Sequence, residues 1–172
     1  MEHLWAPWRM EYILMEKPEG CIFCQKLEEG KDEANFILFR GRANFVMMNL
    51  FPYNPGHLMV APHRHTSELE DLTQKELLEH FDLVRRMVSL LKKSMGPQGF
   101  NIGLNLEEVA GAGVAEHLHT HIVPRWLGDT NYMPVTAGTK VIPEGVAATY
   151  ERLKEKLSSD WPPETEGLII DG

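Results

Sequence analysis

Cysteine, basic residues and long apolar runs are scarce in this 172-residue chain, and each shortage excludes a class of protein. The two cysteines, Cys21 and Cys24, are too few for the disulfide framework of a small secreted scaffold. With 17 lysines and arginines against 25 aspartates and glutamates, the net charge of −8 disfavours a broad surface for nucleic acid or anionic membranes. No apolar run reaches the roughly 18 residues of a membrane span, and the first 20 residues contain no signal-peptide core. We therefore predict a cytoplasmic protein with neither nucleic-acid nor membrane partners.

Short apolar runs separated by turn residues predict a β-sheet. Candidate strands lie at residues 36–39, 45–48, 57–61, 100–106 and 118–124. Short connections between strands suit antiparallel pairing. The sequence therefore predicts a single α+β domain over residues 1–157 that includes an aromatic N-terminal arm, followed by a loosely held acidic tail at 158–172.

One long helix and one or two shorter helices are predicted to accompany the sheet. Thr73 and Glu76 form a candidate capping box for the long helix, and Gly96 is its candidate C-cap. Because His80 lies off the apolar stripe of this helix, we expect it to be solvated. The stripe comprises Leu77, Phe81, Val84, Val88, Leu91 and Met95, and a shorter helix after Pro143 carries Val146, Tyr150, Leu153 and Leu157 on one face.

Three histidines alternate with other residues in the segment 117–121. If this segment is a strand, its side chains alternate between faces, and His117, His119 and His121 line one face. Such a row can hold a metal, or its central imidazole can act as a nucleophile while its neighbours bind phosphate oxygens. Glycines at 111 and 113 allow backbone N–H groups to approach phosphate, and Arg125 follows the segment. These surroundings favour the nucleophile.

The cysteine pair has the spacing of two thiolate ligands of one tetrahedral zinc ion. Cys21 and Cys24 form a Cys-x-x-Cys motif, with further ligands to be supplied from elsewhere in the chain. A redox role needs a thioredoxin-like βαβ context, which the sequence lacks. Two unligated thiols without a role remain the alternative.

Taken together, these motifs resemble the histidine triad (HIT) family. The segment 117–123 fits its alternating histidine signature, and Pro55-Gly56-His57 resembles the strand that carries a fourth active-site histidine in that family. Asn49 and the Cys-Ile-Phe-Cys segment at 21–24 extend the match upstream. The flanks at 4–9 and 124–132 are most similar to the diadenosine tetraphosphate phosphorylase branch.

The resemblance implies a role for each matching residue. It makes His119 the nucleophile of a nucleotidyl-histidine intermediate, and it implies a homodimer whose sheets join. Several relatives carry a hydroxyl or amide side chain just before the triad, whereas Val114 and Ala115 stand here, so no such contact to the leaving phosphate is expected from them. The remaining implied roles are a phosphate contact for His121, a place beside the triad for His57, a nucleoside contact for Asn49, a phosphate or leaving-group contact for Asn105, a phosphate cradle for Gly111 and Gly113, and structural zinc on Cys21, Cys24, His65 and His117.

The activity implied is nucleotidyl transfer, with inorganic phosphate or water as the acceptor. We expect phosphorolysis of diadenosine tetraphosphate to ADP and ATP, with no organic cofactor. Hydrolysis of dinucleoside polyphosphates or of nucleotide phosphoramidates is the alternative within the family. A protein that only binds or senses adenine nucleotides is the alternative from another class, although a sensor has no use for an aligned nucleophile.

Overall fold

Five strands form one antiparallel sheet in the order β1-β2-β3-β5-β4 in a computed structural model of the protein, which describes residues 20–129 and 142–160. Within these residues the sheet is accompanied by one long and two shorter α-helices, which confirms the predicted α+β class. The N-terminal arm with its flank at 4–9, residues 130–132 of the second flank and the tail from 161 lie outside the described residues. The strands are β1 (Ile37–Arg40), β2 (Asn44–Met48), β3 (Leu58–Pro62), β4 (Gly99–Leu104) and β5 (Thr120–Arg125), and the helices are α1 (Ile22–Glu28), α2 (Gln74–Met95) and α3 (Val146–Asp160).

Alternation along the strands divides the core between the two faces of the sheet. On β2, Val46 faces the cluster formed with α2 and α3, whereas Phe45 and Met47 belong to a second cluster that includes Phe23 of α1. We call this second group the Phe23 cluster; its buried members are Phe23, Ile37, Phe45, Met47, Met59 and Ala61. Helices α2 and α3 therefore cover one face, and α1, which carries Cys24, covers the other.

Helix α2 begins and ends where the sequence predicts, but it is rotated relative to the predicted stripe. Thr73 and Glu76 form the capping box, and Gly96 adopts the left-handed C-cap conformation. Phe81, which was predicted to be buried, is 52% exposed, whereas His80 is only 1% exposed, so the prediction of a solvated His80 is wrong. The side chains buried along α2 are His80, Leu83, Val84, Met87, Leu90 and Leu91.

His80 tolerates burial because both of its ring nitrogens have partners. Nδ1 lies 2.9 Å from Asn44 Oδ1, and Nε2 lies 2.7 Å from the hydroxyl of Thr120. Asn44 donates through Nδ2 to Glu79 and to a backbone carbonyl of α2, so its Oδ1 is the acceptor and His80 Nδ1 carries the proton. The Thr120 hydroxyl therefore donates to Nε2. Hydrogen bonds to both ring nitrogens offset the cost of burying this polar side chain. A hydrophobicity pattern does not record such partners.

Strand β5 is shorter than the predicted strand at its N-terminal end. It begins at Thr120, so His121 lies in the strand, whereas His117 and His119 precede it. Pairing with β3 ends at Val60 and Thr120, and the chain beyond is held by the Leu118 amide, which donates to the Thr66 carbonyl at 2.7 Å. The three histidines nevertheless lie on the α1 side of the sheet.

Helix α3 extends past the predicted boundary at residue 157. It ends at Asp160, whose carboxylate pairs with Lys93 of α2 and with Lys156, each at 3.0 Å. The predicted loosely held tail therefore begins with residues that are helical, and its remainder lies outside the described residues. None of the helices in residues 20–129 and 142–160 has the length and apolar composition needed to cross a bilayer. The cytoplasmic location stays a prediction.

Candidate active site

Four histidines form a connected row beside the Phe23 cluster. His57 Nε2 lies 2.9 Å from His121 Nδ1, and the His121 and His119 rings are 4.8 Å apart between centroids. His119 Nδ1 lies 2.8 Å from the backbone carbonyl of His117. His57, His117 and His119 are buried, and His121 is half-buried. The structure thus brings together all four histidines that the sequence singled out.

Backbone groups at the two ends of this row determine where each ring carries its proton. The Tyr53 amide donates to His57 Nδ1 at 3.1 Å, so this nitrogen has a lone pair and the proton is on Nε2. That Nε2–H donates to His121 Nδ1, which leaves the His121 proton on its own Nε2. His121 therefore presents a hydrogen-bond donor rather than a lone pair.

The opposite tautomer is imposed on His119. A backbone carbonyl can only accept, so the contact with the His117 oxygen places the His119 proton on Nδ1. Nε2 then carries the lone pair, and it has no hydrogen-bond partner within residues 20–129 and 142–160. An imidazole held in this way has its nucleophilic nitrogen free.

Burial keeps these imidazoles in their neutral form. It lowers the pKa of His121 to about 4, together with a smaller contribution from repulsion by His119. Burial also lowers the pKa of His119, with partial opposition from its hydrogen bond to the His117 carbonyl. Both rings are therefore neutral at pH 7, and the lone pair of His119 Nε2 is not occupied by a proton.

The turn before β3 holds His57 in place. Gly56 has a φ of +75°, and a Cβ there would lie 2.8 Å from Met95 Sδ and 3.0 Å from Leu91 Cδ2, so both its conformation and its packing require glycine. Asn49, the predicted nucleoside contact, lies beside His57, with its Nδ2 3.4 Å from His57 Nδ1. Its Oδ1 accepts from the Phe51 amide at 2.9 Å. A nucleoside contact for Asn49 stays a prediction.

The predicted phosphate cradle is an exposed loop between β4 and the triad. Gly111 has a φ of +88°, and its carbonyl lies 3.5 Å from Asn105 Nδ2, at the limit of a hydrogen bond. Glu107 has a φ of +67°, a region that costs energy for a residue with a Cβ. Gly113 is exposed, and Val114 packs against the Phe23 cluster. Phosphate binding by this loop stays a prediction.

Arg125 is not oriented as a free cation towards the histidines. Its guanidinium pairs with Asp129, with Nε 2.6 Å from Oδ2, and it donates to Asn101 Oδ1 at 2.6 Å. The same Asp129 carboxylate accepts from Asn54, whose side chain is buried. The arginine that appeared in the sequence to support phosphate chemistry is thus part of a structural ion pair.

The four predicted zinc ligands converge beside the triad. Donor atoms of Cys21, Cys24, His65 and His117 all lie within 4.8 Å of one another. His117 Nδ1 is 3.2 Å from Cys21 Sγ and 3.6 Å from Cys24 Sγ, and His65 Nδ1 is 3.5 Å from Cys24 Sγ. In tetrahedral zinc with ordinary bond lengths, sulfur and nitrogen ligands are about 3.5 Å apart. The residues therefore fit a zinc ion, and His119 and His121 are not in this group.

His117 is prepared for a metal by its second nitrogen. Nε2 lies 2.9 Å from the Pro62 carbonyl, which places the proton there and leaves the Nδ1 lone pair directed at the thiols. Burial, together with the adjacent Cys21, raises the pKa of the Cys24 thiol to about 11. A cation is what would allow both thiols to lose their protons.

Two aromatic residues at the site were not assigned a role from the sequence. Phe23 places its ring centroid 5.0 Å from the rings of both His117 and His119. Tyr53 is half exposed and lies 4.7 Å from the His57 ring. The sequence signal for Phe23 is its position between the two cysteines. No local pattern distinguishes Tyr53.

Comparison with known proteins agrees with this geometry. The model of the HIT domain family matches residues 31–126, which include β1 to β5 and all four histidines of the row. The AP-4-A phosphorylase of Mycobacterium tuberculosis is 38% identical over 169 residues, which cover 94% of this chain and 85% of the relative. The asymmetrical bis(5'-nucleosyl)-tetraphosphatase of Schizosaccharomyces pombe is 32% identical over 130 residues, covering 75% of this chain and 71% of the relative.

Solved structures show the same fold at lower sequence identity. A zinc-bound histidine triad family protein from Mycobacterium smegmatis superposes with a TM-score of 0.66 at 23% identity, covering 81% of this chain and 94% of the neighbour. A histidine triad nucleotide-binding protein from Sulfolobus tokodaii gives the same TM-score at 20% identity, covering 86% and 100%. These likenesses establish the fold.

The tautomers assigned above can be measured directly. In long-range ¹H–¹⁵N correlation spectra at pH 7, we expect His119 to carry its proton on Nδ1 and His57 and His121 to carry theirs on Nε2. The reason is that a carbonyl and an amide, whose hydrogen-bonding roles cannot change, fix the two ends of the row. A predominant Nε2–H form of His119 would contradict the assignment.

Proposed function

Because this chain belongs to the HIT domain family, we propose that it transfers a nucleotidyl group through His119 and phosphorolyses diadenosine tetraphosphate to ADP and ATP. Its membership of the HIT family supports an enzyme that processes nucleotides. The substrate, diadenosine tetraphosphate, and the acceptor, inorganic phosphate, are what we propose. One observation carries it. The hydrogen bond from His119 Nδ1 to the His117 carbonyl leaves Nε2 of a neutral, buried imidazole free for attack.

The first step forms a bond between His119 Nε2 and the α-phosphorus. The bond from that phosphorus to the bridging oxygen breaks, and ATP leaves with the bonding electron pair. Because Nδ1 keeps its proton, the ring becomes cationic while remaining hydrogen-bonded to the His117 carbonyl. The Nε2–H of His121 is available to donate to a non-bridging phosphate oxygen, which stabilises the charge that develops there.

The second step regenerates the imidazole. An oxygen of inorganic phosphate attacks the adenylyl phosphorus, the bond to Nε2 breaks, and its electron pair returns to the ring. The product is ADP, and His119 is again neutral with its proton on Nδ1. Water in place of phosphate would give AMP, so the same machinery serves a phosphorylase or a hydrolase.

The choice of phosphorolysis is supported by the relatives. The M. tuberculosis protein, which matches 94% of this chain, is named a phosphorylase, whereas the S. pombe protein, named a tetraphosphatase, matches 75%. Hydrolysis of dinucleoside polyphosphates or nucleotide phosphoramidates is therefore the second candidate. Within the proposed reaction, Asn49 faces the nucleoside, and Asn105, Gly111 and Gly113 bind phosphate groups.

Product analysis separates the candidates. With diadenosine tetraphosphate and ¹⁸O-labelled inorganic phosphate, we expect ADP and ATP in equal amounts, with the label in ADP alone, and no turnover when phosphate is omitted. This follows because only the second step consumes the acceptor. AMP and ATP formed without phosphate would show a hydrolase, and an absence of turnover would favour a sensor.

The nucleophile is tested in the same assay. Replacing His119 by glutamine retains a polar side chain but removes the attacking ring nitrogen, so turnover should fall by on the order of 10⁴-fold or more. His63→Gln is the matched control, since its ring lies outside the row of four, and it should retain turnover. Wild-type activity in H119Q would overturn the proposal.

Structural zinc is the second part of the proposal. It would be held by Cys21, Cys24, His65 and His117, whose donor atoms are separated by distances that tetrahedral zinc requires. Four protein ligands leave no open position for a substrate, so zinc would fix the local structure. What the ion supplies is a covalent link between α1, the loop after β3 and the first triad residue.

Metal analysis tests this assignment. We expect one zinc ion per chain in the wild-type protein and in His119→Gln, because His119 is not among the ligands. Cys24→Ser removes a thiolate and should lose the ion. A wild-type protein without zinc, or zinc loss in the His119 variant, would show that the ligand set is wrong.

A homodimer with joined sheets is the third part. Among the strands of residues 20–129 and 142–160, β4 has a neighbour, β5, on one side only, and its exposed residues Asn101 to Gly103 include Ile102, which is 46% exposed. An open strand edge with an exposed apolar side chain is a template for pairing with a second chain. Two-fold symmetry would pair β4 with its own copy.

Sedimentation equilibrium measures this assembly. The wild-type mass should be twice the chain mass of 19.6 kDa, and Ile102→Lys should shift the protein towards the monomer because a charge on the edge opposes pairing. Leu127→Lys, which changes an apolar residue that is 90% exposed but lies outside β4, is the control and should remain dimeric. A monomeric wild type would exclude the joined sheet.

A further inference from the structure

We propose that Phe23 is a positioning residue that fixes the plane of the His119 imidazole for attack. The inference deepens the proposed function and rests on His119 being the nucleophile. Phe23 is 1% exposed, and its ring centroid lies 5.0 Å from that of His119, with an interplanar angle of 40°. It contacts the His117 ring at the same distance, so it supports both the nucleophile and the residue whose carbonyl holds the nucleophile.

A single hydrogen bond does not orient an imidazole. The bond from His119 Nδ1 to the His117 carbonyl fixes one ring atom, but the ring can still pivot about that contact. Its Nε2 lone pair lies in the ring plane, so a pivot moves the lone pair away from the line of attack. Reactions of positioned groups are sensitive to displacements of about 1 Å, which can cost on the order of 100-fold in rate.

Two rings restrict this pivot from different directions. His121 lies 4.8 Å away, nearly perpendicular at 78°, and is itself held by His57. Phe23 is tilted by 40° against His119 and is buried among the other members of the Phe23 cluster, whose close packing restricts its motion. The nucleophile is thus enclosed by a polar ring and an apolar ring, and only the polar one could be recognised from the histidine motif.

The cysteine motif explains why Phe23 can resist displacement. Phe23 lies between Cys21 and Cys24 on the seven-residue helix α1, and both thiols lie beside His117. On its far side, Phe23 meets Phe45 edge to face at 6.2 Å. The contacts of the two thiols with His65 and His117 therefore fix the position of α1. Helix α1 in turn holds the Phe23 ring against His119.

Phe23 also lies within reach of the charge that His119 gains. When Nε2 bonds to phosphorus, the ring becomes cationic, and an aromatic ring with its centroid within about 6 Å can stabilise a cation. This contribution appears only as the bond forms. It therefore acts on kcat and not on the affinity for the substrate.

The test compares Phe23→Leu with Phe45→Leu. Both residues are buried phenylalanines of the Phe23 cluster, and the two variants lose the same atoms, so both should lower the midpoint of thermal unfolding by about 5 °C. Phe23→Leu should lower kcat by about 10- to 100-fold with little change in KM, because ring orientation is lost while substrate contacts remain. Phe45→Leu removes a ring that contacts Phe23 at 6.2 Å but keeps the Phe23 ring that contacts His119, so it should lower kcat by much less than Phe23→Leu does.

A readout independent of turnover keeps the two proposals separable. In ¹⁵N spectra at pH 7, the Nδ1–H fraction of His119 should fall in Phe23→Leu and stay as in the wild type in Phe45→Leu, because a pivoting ring exchanges its carbonyl acceptor for water. Inactive wild-type protein would count against the proposed function alone, since the spectra would still decide on Phe23. Equal kcat losses in the two variants, a change confined to KM, or an unchanged His119 tautomer in Phe23→Leu would overturn the positioning role.

Discussion

The hydrogen bond from His119 Nδ1 to the His117 carbonyl is the contact on which the site depends. A carbonyl has no proton to give, so this contact assigns the tautomer of His119 without involving any titratable group. It also joins His119, the proposed nucleophile, to a residue whose own ring is held by the Pro62 carbonyl and lies beside two thiols. Three contacts of His117 help to keep that carbonyl in place. They are with the thiol of Cys21, the carbonyl of Pro62 and the ring of Phe23.

The two faces of β5 carry different contacts: one carries the histidine row, and the other carries buried structural hydrogen bonds. His121 points towards His57 on the α1 side, whereas Thr120, its neighbour, points to the opposite face and donates to the buried His80. Through its bond to Asn44, His80 also links helix α2 to the start of β2. Because these bonds are buried, displacing β5 would leave polar groups unsatisfied, at about 1–3 kcal/mol each. These buried hydrogen bonds therefore hold in place β5, the strand that carries His121.

Local patterns in the sequence were sufficient to locate the five strands, helices α2 and α3 and the histidines, but they did not locate helix α1. The capping box at Thr73, the apolar runs of the strands and the alternating histidines each depend on neighbouring residues, and the structure agrees with all three except at the start of β5. The burial of His80 and the pairing of Arg125 with Asp129 depend on partners in space. A hydrophobicity pattern treats a histidine as polar whether or not its nitrogens are satisfied, so it had no means of placing His80 inside.

The acidic net charge and the neutral histidines pose the question of how a polyanion is accommodated under the proposed function. Arg125 is already paired with Asp129, and burial keeps His119 and His121 uncharged, so in the ground state the row offers the Nε2–H of His121 as a hydrogen-bond donor and no full positive charge. A positive charge arises at His119 when Nε2 bonds to phosphorus, at the moment when negative charge moves onto the leaving group. Attraction that grows with bond formation lowers the barrier, whereas a permanent cation would stabilise the bound substrate as well. A neutral row of imidazoles therefore suits an enzyme whose substrate carries most of its charge before the reaction begins.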